Sequence, residues 1–420
     1  MAGQRLSELR VENFRSLREV ALPLGPVNVL VGPNGAGKTN VLEVFRFLAD
    51  VVRTDLGPAL ERRGGFGRLA FRGGAAQPAY IQIGITGSWS PQQSTRPDEY
   101  TLRIAGSPLA REEIFRSGAY PHRLRTITVL GETARAKVVD EPYDPSAETP
   151  TRHIGLEDHG DGADSLSVGR GDEVEEIGIQ PLSSGLSTLP RLSSKGFSME
   201  PMRVAALLGS FRIFDVDVAR ACLPSRVAPG YEPILADASN LAGFLLRLRD
   251  TDSDAWERLQ ADAVEVLPQL ESLDFDYPSG GAHSVVVVLR ERGLRETTPL
   301  LDASFGTIRL LGLLAMLYDP DPPALTCVEE IDHGLHPQAL ELLMERIREA
   351  SEKTQFIIAT HSPALADRLK PEEIVICERG DDGSSLIPAV STAKVEEIVR
   401  ASEGLPLGEL WFSGVLGGDL

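Results

Sequence analysis

From Val27 to Asn40 the chain reads VNVLVGPNGAGKTN, and Gly32 to Thr39 has the residue types and spacing of a phosphate-binding loop, G-x-x-x-x-G-K-[ST]. Glycines let the backbone curl until consecutive N–H groups and a helix N-terminus face one anion. Lys38 then neutralises the β- and γ-phosphates of a nucleotide, and the Thr39 hydroxyl ligates Mg2+. Asn34, Gly35, Ala36, Gly37 and Asn40 complete the nucleotide-contacting set. Such a loop needs an acidic partner at the end of another strand. Ala324 to Glu330, ALTCVEE, supplies one: Glu329 to hold Mg2+ through its water shell and Glu330 to orient the attacking water as general base. Upstream, DASFGT at 302–307 opens an apolar helix. There Ser304 and Gly306 make either a second anion site or a plain serine N-cap. Downstream, a strand at 355–359 ends in Thr360-His361-Ser362-Pro363.

These residues must be carried by regular elements. Val27 to Val31 is an apolar run that reads as a strand, and the apolar spacing from Val41 to Val52 is helical, with Gly57-Pro58 as its stop. Residues 6–22 alternate as a strand pair turning at Asn13 to Ser16, and segments 79–86, 100–105, 123–130 and 135–140 read as an antiparallel meander. Between Arg62 and Gly74, RRGGFGRLAFRGG reads as a solvated loop, with a small basic contact surface as the alternative. The stretch 141–172 is rich in Asp, Gly, Ser, Pro and Thr and predicts a long acidic loop. Helical patterns return from Met202, a strand is expected at 283–290, and Pro337 sits in the first turn of an amphipathic helix. The segment 408–420 carries Trp411, Phe412 and Leu416 among glycines and is expected to dock on the core or on a second subunit, with the core favoured.

Composition bounds the rest. A chain of 420 residues, 42% apolar and 25% charged, suits a globular protein of two or three units. Three distant cysteines fit neither a disulfide framework nor a metal cluster, which favours a reducing cytoplasm. No N-terminal apolar leader or membrane-length run is visible, so no membrane partner is expected. The formal charge of -19 argues against a broadly basic face gripping nucleic acid. About half of that charge comes from one segment, since residues 140–180 hold twelve acidic side chains against two arginines.

The order of these motifs, glycine loop, serine-glycine helix start, strand with Glu-Glu, then histidine, resembles the ABC-type ATPase heads, in particular the RecF-like and SMC-like branch of bacterial AAA family ATPases. The opening Asn13-Phe14-Arg15-Ser16 fits that branch, and the match is close over residues 5–50 and 283–378. The resemblance implies an α/β fold: a P-loop head with a mixed sheet, an antiparallel β lobe and a helical subdomain. The expected units are 1–87 with the Walker A loop, 88–200 as a β-rich region, 201–280 as the helical subdomain, and 281–420 with the remaining motifs. It implies that Ser304 and Gly306 form the signature segment, acting on a partner's nucleotide, and that Glu329 and Glu330 form Walker B with its catalytic glutamate. His361 becomes the switch histidine, 331–336 the D-loop, and Arg15 a base or ribose contact or else a surface arginine. Gln180 is the favoured glutamine-loop residue beside Mg2+, with Gln82 as rival. The chain departs from the usual pattern at Glu329, Phe305 and His336, where aspartate, glycine and aspartate are common.

The function so implied is an ATPase using ATP and Mg2+. It would close as a head-to-tail homodimer, or a higher oligomer, and control a separate effector, a nuclease or toxin, in anti-phage defence. About forty residues follow the last core strand, too few for a fused Toprim nuclease, so the effector is expected on another chain. The alternative is a RecF-like repair ATPase that binds DNA directly.

Overall fold

The computed structural model describes residues 5–417 apart from 75, 90–96, 121–122, 131–132, 143–174, 179–182, 192–198, 228–229, 231, 279–282 and 403. The chain opens with strands β1 (Arg5–Phe14), β2 (Leu17–Pro23) and β3 (Val27–Val31). Then come β4 (Tyr80–Ser88), β5 (Asp98–Gly106), β6 (Leu109–Tyr120), β7 (Arg123–Leu130), β8 (Thr133–Pro142) and β9 (Glu175–Gly178). The second half carries β10 (Arg212–Phe214), β11 (Ser225–Arg226), β12 (Leu270–Asp276), β13 (Ser284–Glu291), β14 (Thr298–Pro299), β15 (Leu325–Glu329), β16 (Gln355–Thr360) and β17 (Ile374–Ile376). A short hairpin, β18 (Glu378–Arg379) and β19 (Ser385–Leu386), follows.

The central sheet runs β10-β15-β16-β3-β17, and every neighbouring pair is parallel. All residues of β3 and β16 are buried, as expected of strands covered on both faces. Alternate side chains of β3 serve two cores. Val27, Val29 and Val31 pack with the helix Phe305–Leu317, whereas Leu30 faces the helix Lys38–Arg53 and the helix Met199–Ser210. Each fully buried branched side chain contributes roughly 1.5–3 kcal/mol, so this two-sided burial fixes the strand that carries the glycine loop.

Beside it lies an antiparallel sheet in the order β2-β1-β4-β5-β6-β7-β8-β9. Its inner face follows the period of two, with Ile81, Ile83 and Ile85 buried on β4. A third sheet joins β11, β13, β12 and β14 and packs with the helices Leu241–Thr251 and Ser253–Val266. The antiparallel sheet takes strands from both sides of residue 87, and β10, from the 201–280 stretch, pairs with β15.

Several sequence expectations change. Strand β6 went unpredicted because Arg111-Glu112-Glu113 breaks its apolar alternation. Glu113 is nonetheless fully buried, accepting hydrogen bonds from Ser184 Oγ (3.0 Å), the Gly185 N–H (2.7 Å) and Tyr100 (3.1 Å). The first helix ends at Arg53, before Gly57-Pro58. Asp55 caps a new helix, Leu56–Glu61, and those two residues lie in its first turn. The 62–74 stretch is more than a solvated loop, since Arg63 is only 6% exposed and pairs with Glu43 (2.7 Å) and Asp50 (2.8 Å). The 143–172 part of the acidic stretch lies outside the described residues. At the C-terminal end Leu410, Trp411 and Leu416 enter the main core while Phe412 stays 63% exposed.

Candidate functional site

Because the central strands are parallel, their C-terminal ends share one rim, where open α/β sheets bind ligands. Each strand delivers a polar group there. Asp215 follows β10, Glu329 and Glu330 end β15, and His361 follows β16; the glycine loop follows β3, and Arg379 comes shortly after β17. A cavity of about 270 Å³ is lined by loop residues Asn34, Gly35 and Gly37 to Asn40 together with Glu329, Glu330, Ala359, Thr360, His361 and Arg379.

The loop has the predicted curl. Gly35 (φ 84°) and Gly37 (φ 102°) occupy backbone conformations that favour glycine, and a Cβ at Gly37 would overlap Ser385 Oγ. Lys38 Nζ bends back to donate to Gly32 O (2.6 Å) and Pro33 O (2.9 Å). Burial pushes the Lys38 pKa below its ordinary value, while Cys377, Glu330 and Glu329 act in the opposite direction. The Thr39 hydroxyl donates to the Glu329 carboxylate, so the two groups read as Mg2+ ligands converge. Among the described residues no cluster of three or more His, Cys, Asp or Glu side chains could hold a metal alone. One carboxylate and one hydroxyl nevertheless suit Mg2+, which is ordinarily completed by phosphate and water oxygens. This donor set and the glycine cradle fit a magnesium nucleotide.

Glu330 is held in the left-handed region at φ 48°. Its N–H donates to Ala359 O (2.9 Å), and its carbonyl accepts from Arg309 Nη2 (2.8 Å), which also reaches Glu329 O (3.2 Å). The Glu330 carboxylate faces His333 Nδ1 at 3.7 Å and His361 Nδ1 at 3.8 Å. Arg309 itself is 4% exposed, and burial lowers its pKa against the pull of Asp215, Asp332 and Glu330.

Ser304 and Gly306 do not line the cavity. Ser304 is the exposed N-cap of the helix Phe305–Leu317, its Oγ accepting from the Thr307 N–H at 3.1 Å. The adjacent Phe305 ring lies 5.4 Å from that of His333, and a Cβ at Gly306 would sit 2.6 Å from Gly334 O, so this helix start packs directly on the 331–336 turn. Arg15 (φ 50°) does not itself line the cavity; it donates to Oδ1 of the lining residue Asn40 (3.5 Å) and pairs with Glu43 (3.7 Å). Gln82 donates to Glu12 within the antiparallel sheet at 3.2 Å. Gln180 lies outside the described residues.

Sequence reasoning missed Arg309 and Arg379. The first had a signal, an arginine inside an otherwise apolar helix, and the second follows a strand in the turn-rich stretch RGDDGSS.

A parallel-sheet core with a phosphate loop, a Glu-Glu strand end and a histidine on one rim, flanked by an antiparallel lobe, defines an ABC-type ATPase head of the RecF- and SMC-like class. The chain belongs to the family described as "AAA domain, putative AbiEii toxin, Type IV TA system", matched over residues 27–163 and 227–367. It is similar to the OLD nuclease of Thermus scotoductus, at 24% identity over 399 residues covering 92% of this chain and 64% of that protein. The chain thus spans less than two thirds of that relative's length. The DNA replication and repair protein RecF of Corynebacterium jeikeium is 37% identical over 90 residues, covering 20% of this chain and 21% of RecF. The fold is shared with an SMC head bound to the C-winged helix domain of ScpA (TM-score 0.50, 13% identity, 91% of this chain and 96% of that one). It is shared also with an SMC head carrying an extended coiled coil from Pyrococcus furiosus (TM-score 0.51, 12% identity, 95% of this chain and 100% of that one).

Proposed function

We propose that the chain binds and hydrolyses MgATP and that two copies close head to tail around two nucleotides. The output would be a conformational state that controls a partner effector, a nuclease or toxin, in anti-phage defence. One observation carries this reading. The glycine loop, Glu329, Glu330 and His361 gather around one cavity, whereas Ser304, with its hydroxyl at a helix start, is exposed outside the lining. A second copy presenting Ser304 to the first copy's nucleotide makes use of both halves, and twofold symmetry generates two equal sites.

In this scheme the loop N–H groups and Lys38 bind the phosphates, and Thr39 and Glu329 hold Mg2+. Glu330 accepts a proton from the attacking water, and His361 donates to the terminal phosphate. Mg2+, when bound, neutralises phosphate charge. Gln180 would complete the metal surroundings and Arg15 would contact base or ribose. ATP binding closes the dimer and hydrolysis reopens it. The units 1–87, 88–200, 201–280 and 281–420 are proposed as divisions of the sequence, with sheets shared across the boundary at 87 and between 201–280 and 281–420. Three buried free cysteines suit a cytoplasmic setting, and no helix among the described residues is long and apolar enough to cross a membrane.

Size-exclusion chromatography with light scattering tests the core of this reading. Glu330→Gln should accumulate an ATP-dependent dimer that Lys38→Ala does not form, and a Glu330→Gln protein that stays monomeric with saturating MgATP would overturn it. Mass measurement after co-expression with neighbouring genes tests the effector. A second reading, direct action on DNA, is favoured by the similarity to RecF. It requires ATP-stimulated DNA binding that weakens steeply with salt.

A further inference from the structure

We infer that Arg379 is a phosphate ligand, a second cation beside Lys38 for the polyphosphate of the nucleotide held by the 32–39 loop. This rests on the ATP reading above and adds to it a residue beyond the stretch matched by the family.

β17 is the parallel neighbour of β3, so its exit reaches the same rim as the glycine loop. The chain then turns through the β18–β19 hairpin, which is fastened over that loop. Ser385 donates its N–H to Ser16 O (2.8 Å) and shares a hydroxyl hydrogen bond with Ser16 (2.6 Å), while Arg18 pairs with Asp382 (2.8 Å). The exit of β17 and the hairpin lie so close that Cβ atoms at Gly32 and Gly37 would overlap Cys377 O and Ser385 Oγ respectively. Arg379, carried by this clamp, lines the cavity, and its Nη1 donates to Gly35 O at 2.8 Å. Gly35 (φ 84°) and Gly383 (φ 78°) flank the guanidinium, with built Cβ positions 3.8 and 3.4 Å from its nitrogens.

Charge completes the case. Arg379 is exposed and, among the described residues, forms no ion pair. The other charged side chains on the cavity wall are Lys38, Glu329 and Glu330; with Glu329 assigned to Mg2+, Lys38 is the other side-chain cation there for the phosphates, and Arg379 adds a second. One neutral carbonyl occupies one of five N–H donors and neutralises none of the charge, which leaves the cation available to phosphate.

The test measures binding of a non-hydrolysable ATP analogue with Mg2+ to the full chain by calorimetry, with melting temperatures alongside. Wild type should bind and Lys38→Ala should not. Arg379→Gln should bind at least tenfold more weakly, whereas Arg379→Lys, which keeps the charge but not the fork, should stay within threefold of wild type. In wild type the analogue should also protect Arg379 at least fivefold from a dicarbonyl arginine reagent, read by mass spectrometry, a measurement that needs no variant to fold. Equal losses in the Gln and Lys variants would mean that the guanidinium merely props Gly35, and would overturn the inference. So would unchanged affinity in both variants, or the absence of protection. If wild type and Lys38→Ala alike fail to bind, the ATP reading falls and this inference with it. If they separate while the Arg379 results are negative, only this inference falls.

Discussion

Replacing Glu330 by glycine is expected to stabilise the protein while abolishing hydrolysis. Glu330 holds φ 48°, in the left-handed region. For a residue with a Cβ that conformation costs roughly 1–2 kcal/mol. Glycine removes this cost but adds freedom to the unfolded chain, which takes back roughly 0.4–1 kcal/mol. Little else is lost, because the side chain is 47% exposed and the imidazoles of His333 and His361 stand beyond close hydrogen-bond distance at 3.7 and 3.8 Å. The net gain is about 0.5–1 kcal/mol, the smaller term subtracted from the larger. With an unfolding entropy of about 2.1 cal/mol/K per residue over the whole chain, that corresponds to a rise in Tm of about 1 °C. Scanning calorimetry on Glu330→Gly, Glu330→Gln and Glu330→Ala makes the comparison, since all three remove the carboxylate and only glycine releases the backbone. A glycine variant that melts at or below the glutamine variant would refute the reasoning, showing that the left-handed turn is unstrained in its setting. The expected result is a trade of stability against activity at a proposed catalytic position.

Other perturbations test neighbouring parts of the site. Arg309→Met removes the donor to the Glu329 and Glu330 carbonyls. A hydrogen bond from a charged donor is worth about 1.5–3 kcal/mol, so kcat should fall by about tenfold or more with KM for ATP nearly unchanged. Steady-state kinetics decides this, and a loss confined to KM would count against it. Gly37→Ala combines an unfavourable φ with overlap onto Ser385 and should cost about 2 kcal/mol or more in urea denaturation. Adding Ser385→Gly should restore only the overlap part. Asp382 provides a pH test. Hydrogen bonds from the Ser384 side chain and N–H, with Arg18 beside it, hold its pKa at about 2, below the ordinary 3.8. A depressed carboxylate stabilises the fold above its unfolded pKa, so the tie between hairpin and β2 should be complete above about pH 4 and be lost toward pH 2. NMR titration of the Asp382 carboxyl, with Asp382→Asn as control, reads it directly.

How much of this was legible in the residues depended on whether the chemistry is local. The glycine loop, its strand and its helix were readable because turn, donor and apolar period sit within one short stretch. Glu329, Glu330 and His361 could be placed because each lies at or just past the end of a short, mainly apolar strand whose length is easily seen. Strand β6 was not, because Glu113 and Arg111 are buried polar groups whose partners, Ser183, Ser184 and Gly185, lie some seventy residues away. β10 is three residues long and gains its meaning only from pairing with β15. Arg379 belongs to the same class. Nothing near it in sequence mentions the loop it touches, which precedes it by 344 positions.

The position of β3 between β16 and β17 also bears on how the chain is made. Its five buried residues, VNVLV, find their first sheet partner only when Gln355 is reached. At about 5–20 residues per second the ribosome needs roughly 16–65 s to cover that interval. For all that time an apolar strand with two open edges stays without its native neighbours, the kind of segment that pairs with other chains. Nascent or truncated chains ending before β16 should therefore depend on chaperone cover, and the nucleotide pocket can assemble only after Arg379 has been synthesised.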